Sequence, residues 1–305
     1  MVKKNIFQRI KSSETFKKTV TPFGIFSFLV LALFVVSLFI PLVWAFVTSF
    51  REYWDFLLNG GWAWPEKWVN NYAKVLEYFK SPVRNKNGIQ TFVGIPVMAL
   101  NSVLYALGSA LCAMAASLLM AYVASKFNFW FCKVIYAAVI IQMIVPIVGS
   151  LPSELRMAHA LGLYDHIWGM WFMKSYVQGL YFLVFYASFK QIPKDYVDAA
   201  KVDGASNLRI MVNIMFPFVK GTITTIILLN FIAFWNDYQT PMLYIPSHPT
   251  LAYGLYYYTS GSFEIETSTP PMQLAGCMLM AVPLFAIFVI FQKKLLGNLS
   301  MGGLK

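Results

Sequence analysis

Between Phe23 and Val47 the chain runs through Phe, Leu, Val, Ile and Trp without one charged side chain. At about 1.5 Å of rise per residue, a helix of that length crosses the roughly 30 Å of hydrocarbon in a bilayer. Comparable stretches can be drawn at Pro96–Val123, Phe129–Val148, Ile167–Phe189, Thr222–Trp235 extended through Ile245, and Leu274–Phe291. Of the 305 residues, 58% are hydrophobic and 12% charged, against about half and a quarter in soluble domains. Together these features predict an all-α integral membrane protein with six transmembrane helices, the fifth having the least defined limits. The first span is too long for a signal-peptide core and lacks a small-x-small cleavage pattern, so it is expected to remain as an anchor.

The net charge of +11 is a topology signal rather than a nucleic-acid footprint, because the basic residues cluster between particular spans. The leader, residues 1–22, carries Lys3, Lys4, Arg9, Lys11, Lys17 and Lys18. Lys126 follows the second span, Lys190, Lys194, Lys201, Arg209 and Lys220 follow the fourth, and Lys293, Lys294 and Lys305 lie in the tail, residues 293–305. These segments should be cytoplasmic, with both termini inside and a six-helix transmembrane domain over 23–292. The opposite loops are poor in basic residues, apart from loop 51–94, where Glu52, Asp55, Glu66 and Glu77 dilute the positive charge. Its Trp54, Trp62, Trp64 and Trp68 point to a folded outer element resting at the interface.

Within the second span, Gly108, Cys112 and Ala116 recur every four residues beside Ser109, Ala113 and Ser117. Small side chains at that spacing let helices approach closely in lipid. Pro146 and Pro283 remove helical hydrogen bonds and are candidate kinks. Lys174 is the charge well inside a drawn span; with Trp168 and Trp171 just before it, it is expected to snorkel to the outer interface. Cys112, Cys132 and Cys277 are scattered, and His159, His166 and His248 fall in segments read as loops, so no metal is assigned. No Ser-His-Asp arrangement suggests an enzyme. No G-x-x-x-x-G-K-S/T phosphate loop is present, so ATP would have to be bound by another chain.

The most informative loop is Lys190–Gly221, reading KQIPKDYVDAAKVDGASNLRIMVNIMFPFVKG. Pro193 can open a helix with Asp195 and Asp198 at its positive end. Asp203-Gly204 stops it, and Ser206 or Asn207 can cap a second helix bearing Ile210, Met211, Ile214 and Met215 before Pro217. The apolar face must be covered by the chain's own spans, by the membrane surface or by a partner's groove.

Asp198-Ala199-Ala200, then Asp203-Gly204-Ala205, then Ile214-Met215-Phe216-Pro217 resemble the EAA signature of ABC-importer permeases, E-A-A, three residues, G, nine residues and I-x-L-P. The spacing from Gly204 to Ile214 and Pro217 agrees, while Asp198 replaces Glu and Phe216 replaces Leu. Asn101-Ser102, Ala121-Tyr122, Pro146, and Trp235-Asn236-Asp237 followed by Pro241 look like the carbohydrate-uptake group, in particular its maltose-type subunit. The tail Leu299–Lys305 resembles that group's terminal L-T-x-G-x-x-K.

The resemblance implies a type I ABC-importer permease fold in a bacterial inner membrane. It implies that Asp198, Ala199, Ala200, Asp203, Gly204, Ala205, Ile214 and Pro217 attach the ATPase, and that Ser300, Gly302 and Lys305 reach its interface. The implied partners are a second homologous permease, two ATP-binding cassette subunits that hold ATP and Mg, an extracellular solute-binding protein, and a sugar or oligosaccharide. No cofactor is expected on this chain, and no catalysis. Sugars combine hydroxyls with apolar ring faces, so Asn230, Trp235 and Asn236 are the candidates for the substrate path, the alternative for Trp235-Asn236 being that they shape a helix break. The competing readings are an ion-coupled secondary carrier, which would want an inverted repeat and ionisable groups at the midplane, and a membrane enzyme or scaffold.

Overall fold

The computed structural model describes residues 21–84, 90–145, 149–260 and 268–301. The basic leader, Pro146, Gly302 and Lys305 lie outside them. Two compact units are distinguished, Met1–Tyr72 with Thr269–Met278, and Ala73–Ser268 with Leu279–Lys305.

The first unit begins with α1, Pro22–Thr48, whose first turn is set by Pro22 and by Thr21, the hydroxyl of which accepts from Gly24 N at 3.1 Å. Its large side chains are exposed along most of its length, as befits a helix whose solvent is lipid. The chain then folds into a small element around Arg51, which is 0% exposed, and the short helix α2, Tyr53–Leu58. Arg51 Nε donates to Asp55 Oδ2 at 3.0 Å, Nη1 to Gly60 O at 2.8 Å and Nη2 to Asp55 O at 2.9 Å. Asn59 Nδ2 donates to Asp55 Oδ1 at 2.8 Å. The Arg51 guanidinium, with Asn59, holds the Asp55 carboxyl down to about 2. Asn71 Nδ2 reaches back to Ser49 O and Arg51 O, closing the element on itself. The rings of Trp54, Trp62, Trp64 and Trp68 remain exposed, in keeping with an amphipathic interfacial belt.

Helix α3, Asn71–Tyr78, leads into an antiparallel hairpin in the second unit, formed by β1, Lys80–Arg84, and β2, Gln90–Gly94, with Lys80 opposite Gly94. The central helix is α4, Ile95–Lys126. Packed on it are α7, Ile167–Met173, α8, Gly179–Gln191, and α12, Lys220–Trp235. Its fully buried face includes Met98, Tyr105, Ser109, Ala113, Ser117 and Ala121, a spacing of seven and four that keeps one stripe inward. The small-residue stripe is therefore a helix contact. At Gly108 an added Cβ would fall 2.1 Å from Trp171 Nε1, and that indole donates to Leu104 O at 2.9 Å.

The remaining helices are α5, Trp130–Ile144, α6, Leu151–Ala160, α9, Asp195–Val202, α10, Asn207–Ile210, α11, Phe216–Phe218, α13, Gln239–Tyr244, α14, Leu251–Thr259, and α15, Pro270–Met301, which contains Pro283. Among the described residues three helices are individually long and apolar enough to cross a membrane: α1, α4 and the Pro270–Ile290 part of α15. The pair Asn207–Phe218 and Lys220–Trp235, bent by 76°, supplies a fourth if taken as one span. Two sequence expectations need correction. The stretch Ile167–Phe189 is not one helix, because α7 ends at Met173 and α8 starts at Gly179, and the intervening Gln178 N is held by Ser117 Oγ at 3.0 Å. Nor does α12 continue to Ile245: it stops at Trp235, and the Asp237 carboxylate, accepting from Thr240 N at 3.0 Å, starts the separate α13. His159, read as a loop residue, lies in α6.

Candidate functional sites at the two ends of the helical bundle

At one end of the second unit, the loop before α12 forms a helix, a glycine turn and a second helix. Pro193 precedes α9, whose first turn holds Asp195 and Asp198, where carboxylates offset the helix dipole. Gly204 has φ +74, with nothing within 4 Å of where a Cβ would stand. Gly204 N donates to Lys201 O and Ala205 N to Ala200 O, closing the helix end. Ser206 then caps α10, its Oγ accepting from Arg209 N at 3.3 Å.

The next turn, Met211–Met215, is a π-helix leading into α11. Pro217 explains it. Proline has no N–H for the carbonyl four residues back, and its ring clashes there, so the turn widens.

Part of the apolar face is covered by the chain itself. Ala200, Ile210 and Met215 are buried in a cluster with Tyr122, Phe189 and Ile226, while Ala205 and Ile214 pack at its edge. Asp198, Ala199, Asp203, Gly204 and Pro217 are exposed, as are Leu208 and Val202, the latter at 88%. The tip is an apolar and acidic knob around a sharp turn. A cleft of about 350 Å³ beside it is lined by Lys126, Lys190, Lys194, Lys201 and Asp198 among others.

At the far end of α12 lies a polar cleft of about 500 Å³. Tyr105 OH on α4 donates to Asp237 Oδ2 at 2.8 Å. Lys174 Nζ donates to Thr240 Oγ1 at 3.2 Å and stands 5.6 Å from the centroid of the Phe234 ring. Tyr244 OH donates to Glu154 Oε2 at 3.1 Å. Lys174 turns into this cleft, toward a hydroxyl and an aromatic face.

The predicted path residues fall elsewhere. Asn230 and Trp235 are 2% and 4% exposed, and among the described residues Asn230 Nδ2 and Trp235 Nε1 have no hydrogen-bond partner. Asn236 is exposed and donates to Ile232 O within its own helix. None of the three lines the cleft. Sequence reasoning missed Glu154, Gln239, Thr240 and Tyr244; the available signal was Asp237, an acid closing an apolar run. Of the predicted tail contacts, Ser300 falls within α15.

The architecture matches, with a TM-score of 0.72 and 20% sequence identity, a chain of a bacterial ABC transporter involved in the import of the acidic polysaccharide alginate, covering 96% of this chain and 99% of that one. The fold is that of this ABC-transporter chain. By sequence the chain is similar to sugar-uptake permeases. It is 24% identical over 287 residues to the diacetylchitobiose uptake system permease protein of Streptomyces coelicolor, covering 92% of this chain and 88% of that protein. It is 26% identical over 289 residues to the galactooligosaccharides transport system permease protein of Bacillus subtilis, covering 92% and 95%. No protein-family model matches the chain.

Proposed function

We propose that this chain is the transmembrane permease subunit of an ATP-driven oligosaccharide importer, non-catalytic itself and driven by a separate ATPase. The observation that carries this reading is likeness to sugar permeases over 92% of the chain. In this reading the chain crosses a bacterial inner membrane six times with both termini inside. It pairs with a second permease, two ATP-binding cassette subunits holding ATP and Mg, and an outer solute-binding protein. The knob from Asp198 to Pro217 is the ATPase attachment. Asp198, Ala199, Asp203 and Gly204 are exposed there, while Ala200 and Met215 anchor it in the chain's own core. A force applied to the knob is thus delivered to α4, α8 and α12. The tail residues Ser300, Gly302 and Lys305 would meet the same ATPase. Asn230 and Trp235, with buried donors that lack partners, are retained on the substrate path together with Asn236.

Affinity purification of the tagged chain from its native membrane tests the proposal. ATPase subunits and a second permease should come with it, and sugar uptake should stop when ATP is withheld. Gly204→Asp should lose the ATPase. A mutant that retains it in full would count against the attachment. The alternative, an ion-coupled carrier, draws on one observation: Lys174, Glu154 and Asp237 gather around one cleft, the kind of intramembrane ionisable cluster such carriers use. Uptake driven by a proton or sodium gradient without ATP would favour it.

A further inference from the structure

We infer that the cleft at the far end of α12 is a contact site for an uncharged oligosaccharide, with Lys174 and Glu154 as its hydrogen-bonding pair. The inference rests on the importer reading and deepens it. The volume, about 500 Å³, lies within the roughly 300–1,000 Å³ of ordinary small-molecule sites. It forms where the α7–α8 and α12–α13 interruptions meet, so the backbone irregularity lines a cavity rather than facing lipid. Sequence periodicity does not reveal this, because the residues come from segments more than eighty positions apart, as the Tyr244–Glu154 bond shows.

The lining suits a sugar on both its faces. Met157, Met170 and Met173 form an apolar wall, and unbranched, polarisable thioethers adapt to ring faces of varied shape. Lys174 has three donor hydrogens, and among the described residues Thr240 Oγ1 is the hydrogen-bond partner of its ammonium. Glu154 engages Oε2 with Tyr244, leaving Oε1 to accept. Adjacent sugar hydroxyls both donate and accept, so one can receive from the ammonium while its neighbour donates to the carboxylate. Two such charge-assisted bonds are stronger than neutral ones.

Charge sets the class. Glu154 lines the cleft with Lys174, and Asp237 lies directly behind Thr240. Two carboxylates against one ammonium leave the surroundings net negative, which disfavours a ligand that brings its own carboxylate. The site therefore takes neutral saccharides and rejects uronates.

The test uses the whole complex as purified, in lipid nanodiscs. Cys112, Cys132 and Cys277 are replaced by Ala, and Leu243, on the cleft wall, is replaced by Cys. The rate of labelling by a water-soluble thiol reagent is then measured with and without saccharide. A mixture of neutral malto-, galacto-, arabino- and chito-oligosaccharides should slow labelling several-fold, whereas alginate trisaccharide should leave it unchanged. Adding Lys174→Met should abolish the protection, read as the ratio of the rates with and without sugar in that same variant. This first arm leaves the polar cluster intact, so a misfolded Lys174 variant would not remove the test. If no saccharide slows labelling while the ATPase still co-purifies, the site is refuted and the importer reading survives. If alginate protects as well as the neutral mixture, the charge assignment is refuted. Failure of the ATPase to co-purify refutes the importer reading instead.

Discussion

Two glycines in this chain are constrained for different reasons, and the difference is measurable. Gly108 has helical backbone angles, but an added Cβ would fall 2.1 Å from Trp171 Nε1, on a ring held in place by its bond to Leu104 O. Gly108→Ala is therefore an overpacking substitution and should cost about 1–3 kcal/mol. Thermal unfolding in detergent should show a lowered midpoint, partly restored by adding Trp171→Leu. An Ala variant that melts with the parent would show that the ring does not sit there. Gly204 has open space around it and φ +74, so the cost of a side chain is conformational, about 1–2 kcal/mol for most L-residues. Asn tolerates that region better. Gly204→Asn should keep more ATPase on the purified chain than Gly204→Val, and the reverse order would mean that the turn is not what the partner reads.

At the scale of elements, the segment after α1 is organised by a buried cation. The Arg51 guanidinium is held by Asp55 and Gly60 O, and its backbone carbonyl accepts from Asn71 Nδ2. The Asp55 carboxyl titrates at about 2 instead of its ordinary 3.8, chiefly through its hydrogen bond to Arg51. A depressed folded-state value stabilises the element above the unfolded value and is lost as pH falls through the folded one. Tryptophan fluorescence from the outer element should therefore hold steady to below pH 3.8 and change as pH approaches 2. Asp55→Asn should remove that acid transition and loosen the element to limited proteolysis at neutral pH. An unchanged acid profile would rule out the pair as its organiser.

Local chemistry of this kind was readable in advance. Pro193, the first-turn acids, Gly204 and Ser206 marked the helix–turn–helix because each acts on its own backbone neighbours. The break after Met173 was not readable, since a distant group helps fix it, Ser117 holding Gln178; the break after Trp235 was suggested by Trp235-Asn236, but Tyr105, which holds Asp237 beyond it, was not. The cleft escaped for the same reason, with Glu154 contributed by a helix in what hydropathy presents as a loop. The π turn before Pro217 was implicit in the proline, but its register needed the fold.

For the whole molecule, the open question is how many times the chain crosses the bilayer, and parity answers it. Helix α5 has 15 residues, about 22 Å at 1.5 Å each, short of a roughly 30 Å core. It spans only if its flanks extend it or the bilayer thins locally, at a modest cost per ångström of mismatch. Positive charge argues that it does: Lys126 and Lys133 stand at its start, whereas Arg156 is the basic residue of the opposite connection. In a variant without native cysteines, Leu58→Cys and Ser153→Cys should react in intact cells with a membrane-impermeant thiol reagent, while Asn128→Cys and Val202→Cys should need a permeant one. In the six-span reading each neighbouring pair differs by one crossing. Reactivity of Asn128→Cys and Ser153→Cys from the same side would make α5 re-entrant, and the chain would then cross an even number of times between Leu58 and Val202, leaving the proposed motor attachment on the wrong face to meet a cytoplasmic ATPase.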